Sequence, residues 1–192
     1  MMGKSSPDGW RILERETLCE TPYLRIEREH IATPSRPEGV TWTVAHRRAA
    51  AVVAPRTPEG KFLLIRQERV AVQRLLWEFP AGQVDHDVTP AAIRETAFRE
   101  LGEEAGVECR GELIPLGYFF SSVGFTDECC HLFLATEVVP RAEGFDHDEH
   151  EAILEVGEFS PAELRQMISS GEIVDSNTLA LSARLHARGL LA

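Results

Sequence analysis

The run Arg99-Glu100-Leu101-Gly102-Glu103-Glu104-Ala105-Gly106-Val107 constrains this chain more than any other segment. Residues three and four apart share one side of a helix. A helix here therefore gathers Glu100, Glu103 and Glu104 into one volume, where like charges repel unless something positive sits among them. The flanking residues support that helix. Thr89 suits the N-cap, Pro90 the first helical position and Gly106 the C′ position. Ile93, Ala97, Leu101 and Ala105 form an apolar stripe of period four. At about 100° per residue, Glu104 falls between Ile93 and Ala97 on the helical wheel and Glu100 falls beside Ile93. Two carboxylates thus border the face that enters the core, where a carboxylate must be paired or bind metal. A hard divalent cation that prefers carboxylate oxygens would satisfy them. The competing reading is a solvated Glu-rich face with Arg99 as its ion-pair partner.

The pattern Gly…Arg-Glu-apolar-x-Glu-Glu-x-Gly-apolar resembles the signature box of the Nudix hydrolases, which cleave nucleoside diphosphates linked to another group. Arg99 to Val107 match its tail at every specified position. Its head is Gly82, and Glu78-Phe79-Pro80-Ala81 before it resembles the Glu-Leu-Pro-Ala of the ADP-ribose pyrophosphatase branch. The step from Gly82 to Arg99 is seventeen positions, three more than the family's usual spacing, and the extra residues are assigned to Asp85-His86-Asp87-Val88-Thr89. Ala91 stands where the family has its first Glu.

The resemblance implies an α/β fold, the Nudix α/β/α sandwich with a mixed sheet and a small N-terminal antiparallel strand unit. It implies a Mg²⁺ or Mn²⁺ cofactor held by Glu100, Glu103, Glu104 and the carbonyl of Ala81. Arg99 would orient the glutamates through charge-assisted hydrogen bonds. A general base is also required. In the branch it comes from a late acidic loop, which here runs from Glu143 to Glu151 and offers Glu151 first and Glu149 second. Arg66-Gln67-Glu68-Arg69 resembles the branch's Arg-Gln-x-Arg strand end and implies substrate contacts by Arg66, Glu68 and Arg69. Ser121-Ser122-Val123-Gly124-Phe125-Thr126-Asp127-Glu128 resembles its Ser-Pro-Gly-Phe-Ser-Asp-Glu loop, adding Gly124, Phe125, Asp127 and Glu128. Val123 replaces the proline of the ADP-ribose hydrolases.

Composition agrees with one enzyme domain and a small appendage. The 192 residues are 43% hydrophobic and 27% charged, ordinary for a globular protein. A net charge of -11 argues against a nucleic-acid partner, since phosphate backbones require basic patches. It leaves room for a small anionic substrate whose charge a metal offsets. The N-terminus carries no apolar leader segment and no run is long enough for a membrane span. Cys19, Cys109, Cys129 and Cys130 include no Cys-x-x-Cys pair, which points to reduced thiols and a cytoplasmic location. His147-Asp148-Glu149-His150 reads as a polar surface turn.

Turn signals divide the chain into a tail (1–9), an N-terminal strand unit (10–46) and a hydrolase domain (47–192). Strands are expected at Trp10–Thr17, Tyr23–His30 and Val40–His46, with Pro34–Gly39 as a turn. Further strands are expected at Ala49–Ala54, Lys61–Gln67, Leu75–Phe79, Glu112–Phe120, His131–Val138 and Ala152–Phe159. Ser160-Pro161-Ala162-Glu163 has capping-box spacing and opens a helix to Ser169, and a last helix spans Asn177–Arg188. In the resembling branch the N-terminal strands build a homodimer. The implied function is hydrolysis of the pyrophosphate bond of a nucleoside diphosphate sugar, with ADP-ribose leading. Alternatives are another nucleotide sugar, a dinucleotide, or a Nudix-fold sensor that binds such a ligand without cleaving it.

Overall fold

A computed structural model of the chain describes residues 9–85, 87–142 and 152–191. The chain separates into two compact units. The first runs to Arg48 and takes in Phe120–Glu128; the second holds Ala49–Phe119 and the residues from Cys129 onward.

The first unit is an antiparallel meander of β1 (Arg11–Glu20), β2 (Arg25–Thr33) and β3 (Arg36–His46), in that order. β3 begins four residues before the expected Val40. Pro34 and Ser35 alone make the turn, and Thr33 pairs with Arg36. Pro37 and Gly39 read as turn residues in sequence. β3 is an edge strand, however, where a missing N–H breaks no ladder. Gly39 has φ +96°, and a Cβ there would lie 2.5 Å from His30 Nε2. The glycine is thus required by the strand rather than by a turn.

The second unit is built from β4 (Ala50–Pro55), β5 (Phe62–Arg69), β6 (Arg74–Glu78), β7 (Ala81–Gln83), α1 (Pro90–Glu103), β8 (Val107–Cys109) and β9 (Leu113–Phe120). There follow β10 (Cys129–Ala135), β11 (Val138–Pro140), β12 (Ile153–Phe159), α2 (Pro161–Ser170) and α3 (Ser176–Ala187). One sheet has the order β7-β4-β10-β9 and is mixed, since β4 runs parallel to β10 and antiparallel to β7. A second sheet, β12-β5-β6, is antiparallel, and β8 pairs with β11. β4 is buried along its whole length, as a parallel strand covered on both faces must be.

Strand alternation divides this unit's interior into two cores. Ala50, Val52, Ala54, Phe62 and Leu64 pack with Leu164 and Met167 of α2 and Leu181 and Leu185 of α3. Ala51, Val53, Leu63 and Ile65 pack with Ile93, Ala97 and Leu101 of α1. Helices on both faces of the strands make this the α/β/α sandwich. The stripe Ile93, Ala97, Leu101 and Ala105 is buried as its period requires. Thr89 Oγ1 accepts the Ala92 N–H at 3.1 Å, as an N-cap does. The helix ends one residue sooner than its glycine suggests: Glu104 is the C-cap and Gly106 follows in the left-handed region at φ +64°.

Gly102 lies inside α1, where a glycine costs about 1 kcal/mol relative to alanine. The neighbouring Arg141 accounts for it. A Cβ at 102 would stand 2.2 Å from the guanidinium Nη1, and the Arg141 N–H donates to Gly106 O at 2.9 Å.

At the start of α2 the capping box forms. The Glu163 N–H donates to Ser160 Oγ at 3.2 Å, and the Ser160 N–H returns to Glu163 Oε2 at 2.8 Å. The Ser160 hydroxyl, then its N–H, hold the exposed Glu163 carboxyl below its usual range. For a depressed acid, the stabilisation is complete above the unfolded value and fades as pH falls through the folded one. Glu163→Gln keeps the box's shape, so its melting temperature should trail wild type near neutrality and converge with it at acid pH. A pH-independent gap between the two melting curves would refute the assignment.

Candidate active site

β7 and the last turn of α1 build the centre. Val53 N–H donates to Pro80 O and Val84 N–H to Ala49 O, each bracketing β7. Antiparallel alternation then turns the backbone groups of Ala81 and Gln83 away from β4. The Ala81 N–H donates to Glu104 Oε2 at 2.7 Å, and Gln83 O accepts from Arg99 Nη2 at 3.4 Å. Between them, Gly82 lets the backbone meet Glu100: a Cβ there would stand 1.7 Å from Glu100 Oε1 and 2.3 Å from its Cδ. Glu100 and Glu104 are only 2% and 1% exposed, while Glu103 is half-buried.

Arg99 braces this cluster. Its Nη2 lies 2.7 Å from Glu100 Oε1 and 3.5 Å from Asp85, and its Nη1 pairs with Glu103. Burial works against the cation. The charge of Glu100 and the hydrogen bond to Glu103 outweigh it and keep the guanidinium protonated. The donors are all hard oxygens, two of them carboxylates withdrawn from water against a bare glycine. That set fits a hard divalent cation.

β5 and β6 bring the arginines to the same unit. Arg69 holds Glu78 with both nitrogens of a fork, Nε at 3.0 Å and Nη2 at 2.5 Å. Burial pushes the Glu78 carboxyl up, against the pull of Arg69. Burial also disfavours the Arg69 cation, which Glu78 more than restores, helped by the charges of Glu104 and Asp175. Arg66 stacks over Trp77 at 5.7 Å and lies 3.5 Å from Glu155; Glu68 is exposed. Thr178 pins the approach to β7. Its hydroxyl accepts the Phe79 N–H at 2.9 Å and donates to Asp175 Oδ2 at 2.8 Å.

In the first unit, the loop after β9 is tied down by β3. Trp42 Nε1 donates to Gly124 O at 2.8 Å and the Ala45 N–H to Phe125 O at 2.7 Å. His46 Nδ1 lies 2.9 Å from Asp127 Oδ2, and the Arg47 N–H donates to Asp127 Oδ1 at 3.2 Å. Glu128 pairs with Arg47 at 3.0 Å and accepts from Ser121 Oγ at 2.6 Å. Both loop carboxylates are therefore engaged inside the unit, while Val123 and Phe125 stand 81% and 56% exposed.

Sequence reasoning missed Gln83, Thr178, Trp42 and His46, each of which matters through a partner distant in the chain. Glu78 stood in the motif, but its pairing with Arg69 was not read from it. Glu149 and Glu151, the expected base candidates, lie outside the described residues. Among the described residues no helix is long and apolar enough to cross a membrane.

Comparison with known proteins agrees with this geometry. The family described as NUDIX domain matches residues 45–179. An ADP-ribose pyrophosphatase of Bacillus subtilis (strain 168) is 31% identical over 168 residues, 88% of each chain. A GDP-mannose pyrophosphatase of Klebsiella pneumoniae is 34% identical over 197 residues, 96% of this chain and 89% of that one. A solved structure titled as an ADP compounds hydrolase shares the fold, with a TM-score of 0.74 at 19% identity over 96% of this chain and 98% of that one. With the family's box on the family's fold, and relatives aligned over most of its length, this chain belongs to the Nudix family as a Nudix pyrophosphohydrolase.

Proposed function

We propose that the protein hydrolyses the pyrophosphate bond of a nucleoside diphosphate sugar, ADP-ribose first among them, with Mg²⁺ or Mn²⁺. The observation that carries this reading is the buried pair Glu100 and Glu104, set against Gly82 and the Ala81 backbone. Nudix hydrolases generally use divalent metals, and we assign the site to Glu100, Glu104, Glu103 and the Ala81 carbonyl. A cation there would neutralise phosphate oxygens and acidify an attacking water. Arg99 fixes the orientation of Glu100 and Glu103. Glu151, with Glu149 second, is the proposed base that takes the proton of the attacking water. Arg66, Glu68 and Arg69 are the proposed substrate contacts of the second unit. Gly124 and Phe125 are those of the first, held in place by Asp127 and Glu128. Exposed Val123 and the GDP-mannose pyrophosphatase relative favour another nucleotide sugar as the second reading.

The first unit is the proposed homodimer element, and the cytoplasm the proposed location. β1 is an exposed edge strand bearing Ile12, Leu13 and Leu18, each close to half exposed. The four cysteines are free, which suits a reducing compartment.

The test is product release from ADP-ribose, other nucleotide sugars and dinucleoside polyphosphates, with Mg²⁺, Mn²⁺ or EDTA. Cleavage of one compound to two monophosphates, abolished by EDTA, is the expected result. In the same assay Glu151→Gln should lower turnover by about 10²-fold or more; an unchanged rate moves the role to Glu149. Ligand-dependent thermal stabilisation with no product would replace the hydrolase by a sensor.

A further inference from the structure

The buried polar cluster under the N-terminal sheet is not absorbed by the hydrolytic centre. Glu27 and Glu29 are 2% and 3% exposed, on one face of β2. Arg15 of β1 reaches both, 2.8 Å from each, and Arg25 of β2 lies 3.2 Å from Glu27. His46, at the end of β3, faces the same pair. Its Nε2 stands 3.2 Å from Glu27 Oε2 and 3.4 Å from Glu29 Oε1, while its Nδ1 stands 2.9 Å from Asp127 Oδ2.

Among the described residues both ring nitrogens thus lie beside carboxylate oxygens, Nδ1 in a hydrogen bond to Asp127 and Nε2 at ion-pair distance from Glu27 and Glu29. A neutral imidazole has one N–H and one lone pair, so one side would set a lone pair against an anion. Only the doubly protonated ring presents an N–H to both sides. Charge counting agrees. Glu27, Glu29 and Asp127 oppose Arg15 and Arg25, three against two, and the imidazolium supplies the missing positive charge. Arg47 is paired separately with Glu128.

We propose that His46 is a positioning residue. As an imidazolium it ties Asp127 to Glu27 and Glu29, and so holds Gly124, Val123 and Phe125 in the geometry that meets the substrate. This rests on the substrate role given to that loop above. The clamp acts on substrate affinity and leaves the hydrolytic step untouched.

The test combines kinetics with a readout that needs no turnover. The Trp42 indole N–H, bonded to Gly124 O, reports loop docking through its NMR resonance, assigned with Trp42→Phe. In His46→Gln we expect KM for the cleaved nucleotide sugar to rise roughly tenfold or more, kcat to stay within about twofold, and the indole resonance to shift and exchange faster. His46→Arg, permanently charged, should keep the low KM; it also decides the question if His46→Gln does not fold. An indole resonance indifferent to His46→Gln overturns the clamp. A resonance that moves while KM does not overturns the loop's role in binding. Wild type that cleaves nothing removes the hydrolase reading, with the resonance still reporting on the clamp.

Discussion

Glu104→Gln is expected to fold normally and to lose nearly all metal-dependent turnover. The amide matches the carboxylate in shape, and its oxygen can still accept the Ala81 N–H. What disappears is a negative charge on a residue 1% exposed, beside a helical neighbour of the same sign. Relief of that repulsion keeps the metal-free melting temperature at or above wild type. A metal at a phosphoryl centre contributes several kcal/mol to the transition state, so impairing its site costs on the order of 10²- to 10³-fold in kcat. Wild type should gain melting temperature when Mn²⁺ is added, and the variant should gain little. Full activity in folded Glu104→Gln would remove Glu104 from the metal site.

Gly82→Ala should be almost as damaging, for a steric reason. The φ of Gly82 is not in the left-handed region, so alanine meets no backbone penalty. Its methyl group would instead occupy the space of the Glu100 carboxylate, 1.7 Å from Oε1. That carboxylate must swing away, losing its place at Arg99 and in the proposed ligand set. We expect about 1–3 kcal/mol of destabilisation from overpacking and at least about 10²-fold loss of turnover. Gly82→Ala with Glu100→Ala separates the causes. If the collision is the fault, the double variant recovers stability and stays inactive. If it melts as low as Gly82→Ala alone, the backbone of β7 is at fault.

The carboxylate cluster was legible in the sequence because its geometry is local. Helical period alone placed Glu100 and Glu104 at the edge of the buried stripe, and Thr89 and Pro90 marked where the helix begins. What stayed hidden is defined by partners. β7, β8 and β11 are three-residue strands whose ladders lie elsewhere in the chain, so they leave no alternation to read. The early start of β3 was masked by Pro37 and Gly39, which mean turn in isolation and edge strand in context. The bond of Asp127 to His46 could not be read, because the two are 81 positions apart. For the same reason no boundary signal joined Phe120–Glu128 to the N-terminal strands.

Position 102 is written as free in the family's box, yet here it is coupled to residue 141. The Arg141 guanidinium lies where a side chain at 102 would begin, so a helix-favouring alanine there would require that flexible side chain to move aside. Glycine at 102 therefore gives up about 1 kcal/mol of helix propensity and leaves the arginine its place beside the helix.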